Sequence, residues 1–95
     1  MIIVWSAKAR QDLLDIVRYL APRNPDAARR MQAVIRAKVG ALGAAPYIGR
    51  AGRIESTREL AITGTPYVVV YRVMPEGVQI LTVVHGAQDW PGAVN

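Results

Sequence analysis

The order of apolar patterns in this chain predicts an α+β fold. One N-terminal strand and two antiparallel helices precede a three-stranded antiparallel meander, with the helices packed on one face of a small sheet. Three observations carry the expectation. A β-branched run, Ile2 to Trp5, opens the chain. Two stretches then repeat apolar residues at helical spacing, with only a short break between them, which makes them antiparallel neighbours. Three strand-like segments divided by Gly and Pro turns complete the pattern.

Each element has a local cause. Ile2–Trp5 reads as a buried strand, and Ser6 offers an N-cap to the first helix. From Ala7 to Ala21, Ala9, Leu13, Ile16, Val17 and Leu20 form an apolar stripe, and Lys8, Gln11, Asp12, Asp15 and Arg18 take the other side. Pro22 ends this helix. Asn24-Pro25-Asp26 starts the second, with Asn as cap, Pro at the first helical position and Asp at the positive end of the dipole. Its stripe is Ala28, Met31, Ile35, Val39 and Leu42. Gly43 is expected as its terminator. Residues 44–56, broken by Pro46, Gly49 and Gly52, are expected as a loop. Thr57 to Thr63 alternates, with Arg58, Leu60 and Ile62 on one face and Glu59 and Ala61 on the other. Tyr67 to Val73 is apolar on both faces, as a central strand is. Met74-Pro75-Glu76-Gly77 turns the chain into Val78–Val84. The arrangement leaves one sheet face partly open, with loop arginines at its rim.

Composition narrows the function classes. The 95 residues suit a single domain, residues 1–95, whose core is built without any Phe. Net charge is +5, and the cations are ten Arg against two Lys. Arg favours forked recognition of phosphate or carboxylate, so an acidic partner is expected. With no Cys and a single His, disulfides, thiol chemistry and Cys or His-rich metal centres are not available. No cofactor is expected, since Gly49-Arg50-Ala51-Gly52 lacks the spacing of a phosphate loop. The opening apolar run is too short for a membrane span or signal core, so the chain reads as soluble and cytoplasmic.

Several residues are candidates for chemistry. Asp12 and Asp15 share a helix face and are expected as solvated acids. Glu55 and Glu59 are expected to pair with Arg53 and Arg58. His85, at a strand end, is positioned either as a general acid or base reaching an open face or as a hydrogen-bonded structural residue. Arg58, Glu59 and Arg72 lie on neighbouring strands and read as an anion site or as a cross-strand ion pair. Arg50 and Arg53 belong to the basic loop, with a target or nucleic acid as their expected partner. Trp90 before Pro91 is either a base-stacking platform or packing for the tail.

Taken together, these residues resemble a known family. Trp5-Ser6 followed by Ala9 and Leu13, then Asn24-Pro25 with Ala27-Ala28, resembles the front half of RelE/ParE-family toxins. The back half is similar at Pro46, Gly49-Arg50, Thr57-Arg58-Glu59-Leu60, Pro66-Tyr67-Val68, Tyr71-Arg72-Val73, and His85 with Trp90-Pro91. No one piece is specific, but the ordered set spans nearly the whole chain. The resemblance implies the toxin of a bacterial type II toxin–antitoxin module, made with an antitoxin from the same operon and able to form a hetero-oligomer with it.

Two branches of the family imply two mechanisms. RelE-like members cut messenger RNA, usually on the ribosome, and commonly carry an Arg in a Tyr/His-Arg-Leu-Val-Tyr segment. Here Val68 stands at that position, and the only lysines are Lys8 and Lys38. Losing an Arg there removes an electrostatic contribution to the phosphorane-like transition state. His85 stands where some of these RNases place a catalytic His. The Thr-Arg-Glu-Leu and Trp-Pro pieces are closer to the ParE branch, whose characterised members poison DNA gyrase without RNA cleavage. The ParE-like reading therefore leads, the mRNA endonuclease is its alternative, and a non-toxic basic or operon-regulating module is the third.

Overall fold

The computed structural model describes residues 1–86. Its order is β1 (Ile2–Trp5), α1 (Ala7–Leu20), α2 (Pro25–Ala41), β2 (Arg50–Ala51), β3 (Arg58–Ala61), β4 (Tyr67–Met74) and β5 (Gly77–His85). The strands form one mixed sheet in the order β1-β5-β4-β3-β2. All neighbours are antiparallel except β1, which runs parallel to β5. This is the α+β fold expected, with β4 in the middle. β2 is an addition inside the glycine-broken loop, where Arg50 pairs with Glu59 and Ala51 with Arg58.

The helices begin where the caps predict. Ser6 Oγ accepts from the Ala9 amide at 3.0 Å, and Asn24 Oδ1 accepts from the Ala27 amide at 3.0 Å. Their stripes pack on one sheet face, where Ala9, Leu13, Ile35, Val39 and Leu42 meet Val69, Tyr71, Val78 and Ile80. No helix among the described residues is long and apolar enough to cross a membrane.

Two expectations about exposure are corrected. β1 is not buried, because it is an edge strand covered on one face: Ile3 and Trp5 pack inward, while Ile2 and Val4 remain exposed. The second sheet face is less open than its composition suggests, since Val68 and Val70 are buried there with Leu81 and Val84 against them. Glu59, the register partner of Val70, draws Arg50 and Arg53 to this end of that face.

A β-bulge locks α1 to the sheet. Val70 pairs with Thr82 and Tyr71 with Ile80, so Leu81 is an extra residue outside the ladder. The polar groups around it are captured by α1. Ser6 Oγ donates to the Leu81 carbonyl at 2.9 Å, and an Asp12 carboxylate oxygen accepts from the Val83 amide at 3.0 Å and from the Thr82 hydroxyl. Asp12 is thus not the solvated acid the sequence suggests. A bulge cannot be read from an apolar run, so its need for an acceptor is invisible in sequence.

Candidate functional site: the arginine rim

The rim is built on a buried tyrosine. Tyr71 lies fully buried in β4, and a buried phenol needs a partner for its hydroxyl. That hydroxyl donates to the Pro46 carbonyl at 2.7 Å and accepts from the Gly49 amide at 2.9 Å. The loop is thereby clasped to the centre of the sheet. A Cβ on residue 49 would sit 2.5 Å from the Tyr71 oxygen and 2.9 Å from the Glu59 carbonyl, so the close approach requires Gly49.

Glu59 organises the cations on one side of the rim. Its side chain is 2% exposed. One oxygen accepts from Arg50 Nη2 at 3.0 Å and Nε at 3.2 Å, and the other from the Arg53 amide at 2.8 Å, with Arg53 Nε at 3.3 Å. Burial by itself pushes this carboxyl up. The Arg53 amide, the Arg50 hydrogen bond and the charges of both arginines outweigh it, and the group is held below its ordinary range. The expected pairing of Glu59 with Arg53 is present, and Arg50 joins it.

Arg58 does something else. It pairs in register with Tyr71 and so projects to the opposite face from Glu59. Its Nη1 donates to the Gly49 carbonyl at 2.7 Å, and its guanidinium lies 4.9 Å from the centre of the Tyr47 ring. Among the described residues no carboxylate pairs with it. Arg72 comes directly after Tyr71 and therefore faces away from Arg58, on the side of Val68 and Val70. The structure brings Arg50, Arg53 and Glu59 together, and it separates Arg58 from Arg72.

His85 belongs to a different place. It ends β5, opposite Tyr67, with the two rings edge to face at 5.8 Å. It lines a groove of about 740 Å³ beside α1, with Asp12, Asp15, Tyr19 and Tyr67. This is the helix-covered side of the sheet, and the open face expected to receive His85 is the other one. Tyr67 has its phenol pushed up, first by burial and then by Tyr19, and stays protonated at neutral pH. Arg58 pairs at Tyr71, four residues along β4 from Tyr67. That offset is about 13 Å along the strand and about 10 Å across it. Imidazole and rim arginines therefore do not share a site. Trp90 lies outside the described residues, as do Gln88, Asp89 and Pro91.

The arrangement matches a known family. A family profile described as the ParE toxin of the type II toxin-antitoxin system parDE matches residues 3–90. The chain belongs to the ParE toxin family. Over 89 residues it is 45% identical to Y4kP of Sinorhizobium fredii, a protein designated a toxin by inference, covering 94% of this chain and 92% of that one. Toxin RelE1 of Caulobacter vibrioides is 30% identical over 89 residues, 92% of this chain and 95% of its own. Among solved structures, a chain from the chromosomal ParDE system of P. aeruginosa superposes with a TM-score of 0.81 at 26% identity, over 90% of this chain and 95% of that chain.

Within a ParE-family frame, sequence reading missed three contributors. Tyr71 clasps the loop, Tyr47 stacks under Arg58, and Asp12 ties α1 to the bulge. Only the first had a signal, a Tyr directly after three valines in the most apolar strand, where its hydroxyl has to find a partner.

Proposed function

We propose that this ParE-family toxin is held silent by an antitoxin from its own operon and, when released, inhibits DNA gyrase by binding it, without cutting RNA. The observation that carries this reading is the separation of His85 from the arginines. Cleavage of RNA requires proton transfer and stabilisation of the charged phosphate in one place. Among the described residues, the only cation lining the groove around His85 is Lys8, already bonded to Asp12 at 3.0 Å. Val68, at the position where RNase members carry Arg, is buried in an apolar cluster. A rim of preorganised arginines, by contrast, suits a protein surface.

A messenger RNA endonuclease is the second reading. The likeness to Toxin RelE1 and the His85–Tyr67 pair favour it. Supercoiling by purified gyrase with ATP separates the two. The proposal expects inhibition by the toxin and its relief by the antitoxin, with transcripts intact in a translating extract. Uninhibited gyrase together with cut transcripts would replace the proposal with the endonuclease.

A further inference from the structure

A small pocket opens on the rim beside Arg58. It has a volume of about 370 Å³ and is lined by Tyr47, Gly52, Ser56, Thr57, Arg58 and Val73 among others. Among the described residues, Arg58 is its only charged lining residue. That guanidinium is half-buried, braced by the Gly49 carbonyl on one edge and the Tyr47 ring beneath it. Braced in this way, it keeps N–H groups that have no partner among the described residues. A guanidinium has five such donors in a fixed fork, and the shape matches a carboxylate.

The pocket is held ready by its surroundings. Pro46 and Gly49 are both hydrogen-bonded to Tyr71, which anchors the residue whose carbonyl orients Arg58. Thr57 donates to the Ile54 carbonyl at 2.5 Å. Ser56 sits at φ 64°, a left-handed conformation that a non-glycine residue holds only where its surroundings impose it. Tyr47, which lines the pocket, is 64% exposed, and its neighbour in the chain, Ile48, is 56% exposed. A braced Arg stacked on an exposed aromatic ring, with an exposed aliphatic residue next to that aromatic in the chain, has the composition of a protein-binding hot spot.

We propose that this pocket receives a carboxylate side chain, Asp or Glu, from an acidic segment of a protein partner, with an adjoining apolar residue resting on Tyr47 and Ile48. Charge complementarity commits it to an acidic partner. A nucleic acid is disfavoured because its affinity is built from many phosphate contacts along a row of cations. Here the neighbouring Arg50 and Arg53 engage Glu59 on the other face. The inference rests on the pocket's geometry and on charge complementarity to an acidic protein segment, so it fails or stands separately from the gyrase reading.

Binding of the blocked tripeptide acetyl-Leu-Glu-Leu-amide to the isotope-labelled chain, monitored by amide and guanidinium chemical shifts, tests it. Saturable shifts are expected at Tyr47, Thr57 and the Arg58 Nε–H. The Gln counterpart of the peptide should bind about 10- to 100-fold more weakly, which is the loss of a charge-assisted pair. Arg58→Gln should erase the preference for Glu over Gln, and Tyr47→Ala should weaken both peptides while leaving that preference. Equal binding of the Glu and Gln peptides would overturn the proposal, as would a Glu preference that survives Arg58→Gln. Larger shifts at these residues with a thymidine tetranucleotide than with the Glu peptide would overturn it in favour of a phosphate site.

Discussion

Asp12 and Glu59 are both carboxylates drawn toward the sheet, yet they close two very different regions. Asp12 sits at the seam between α1 and β5, where its partners are a backbone amide, a threonine hydroxyl and one lysine. Its bonds to the strand satisfy groups beside the bulge, so this carboxylate is committed to joining helix and sheet. Glu59 sits at the rim, where two arginines converge on it from solvent. It pairs with both Arg50 and Arg53 but leaves Arg58, on the opposite face, with no acid among the described residues. The seam commits its polar groups to cohesion, whereas the rim retains a preorganised cation. The contrast supports the proposal that binding belongs to the rim and structure to the seam.

The bluntest way to break this contrast is to remove the floor common to both regions. Val69 is fully buried in β4. Val69→Asp places an unpaired carboxylate in the core, a cost comparable with the roughly 5–15 kcal/mol that holds a domain together. Cooperative thermal melting should be lost, and a cooperatively melting variant would mean that β4 is not central. Asp12→Ala acts on the seam alone. It strands the Val83 amide and the Thr82 hydroxyl and should cost about 2–3 kcal/mol in urea unfolding. Amide exchange at the rim should be unchanged. Tyr71→Phe is the matching change at the rim, costing about 1–2 kcal/mol. It should speed exchange of the Gly49 amide and leave that of Val83 alone.

The smallest effect is one of pH. The folded-state pKa of Glu59 is depressed, so its contribution to stability is fully present above its ordinary value of about 4.5 and is lost as pH falls through the lower folded value. Stability measured from pH 6 down to pH 3 should therefore fall, and Glu59→Gln should flatten that fall. An unchanged slope in Glu59→Gln would remove Glu59 as the acid that holds the rim.

Legibility in the sequence tracked the range of the interactions. Ser6 and Asn24 announce helices because a cap acts within three residues of itself, and both are caps in the structure. The apolar run from Tyr67 announces a central strand because two-sided burial shows as unbroken hydrophobicity. The Tyr71 clasp spans 22 and 25 residues, and the Asp12 bond to Val83 spans 71. No spacing in the sequence encodes such a distance. Arg58 and Arg72 look like one group in sequence because they lie on neighbouring strands. The pleat sends them to opposite faces, and that depends on a register the turn geometry sets. His85 is visible as a candidate, but which face it joins is decided only by its pairing with Tyr67.

The division of labour between seam and rim is tested most directly by growth inhibition on induction of His85→Ala, with circular dichroism to show that the variant is folded. If inhibition arises from binding a protein target, no proton transfer is required, and His85→Ala should inhibit growth to nearly the wild-type extent. If the protein is an RNase, His85 is its only imidazole, and cleavage should fall by about 10²- to 10⁴-fold. A folded His85→Ala variant that no longer inhibits growth, beside a wild type that yields cut transcripts, would contradict the account.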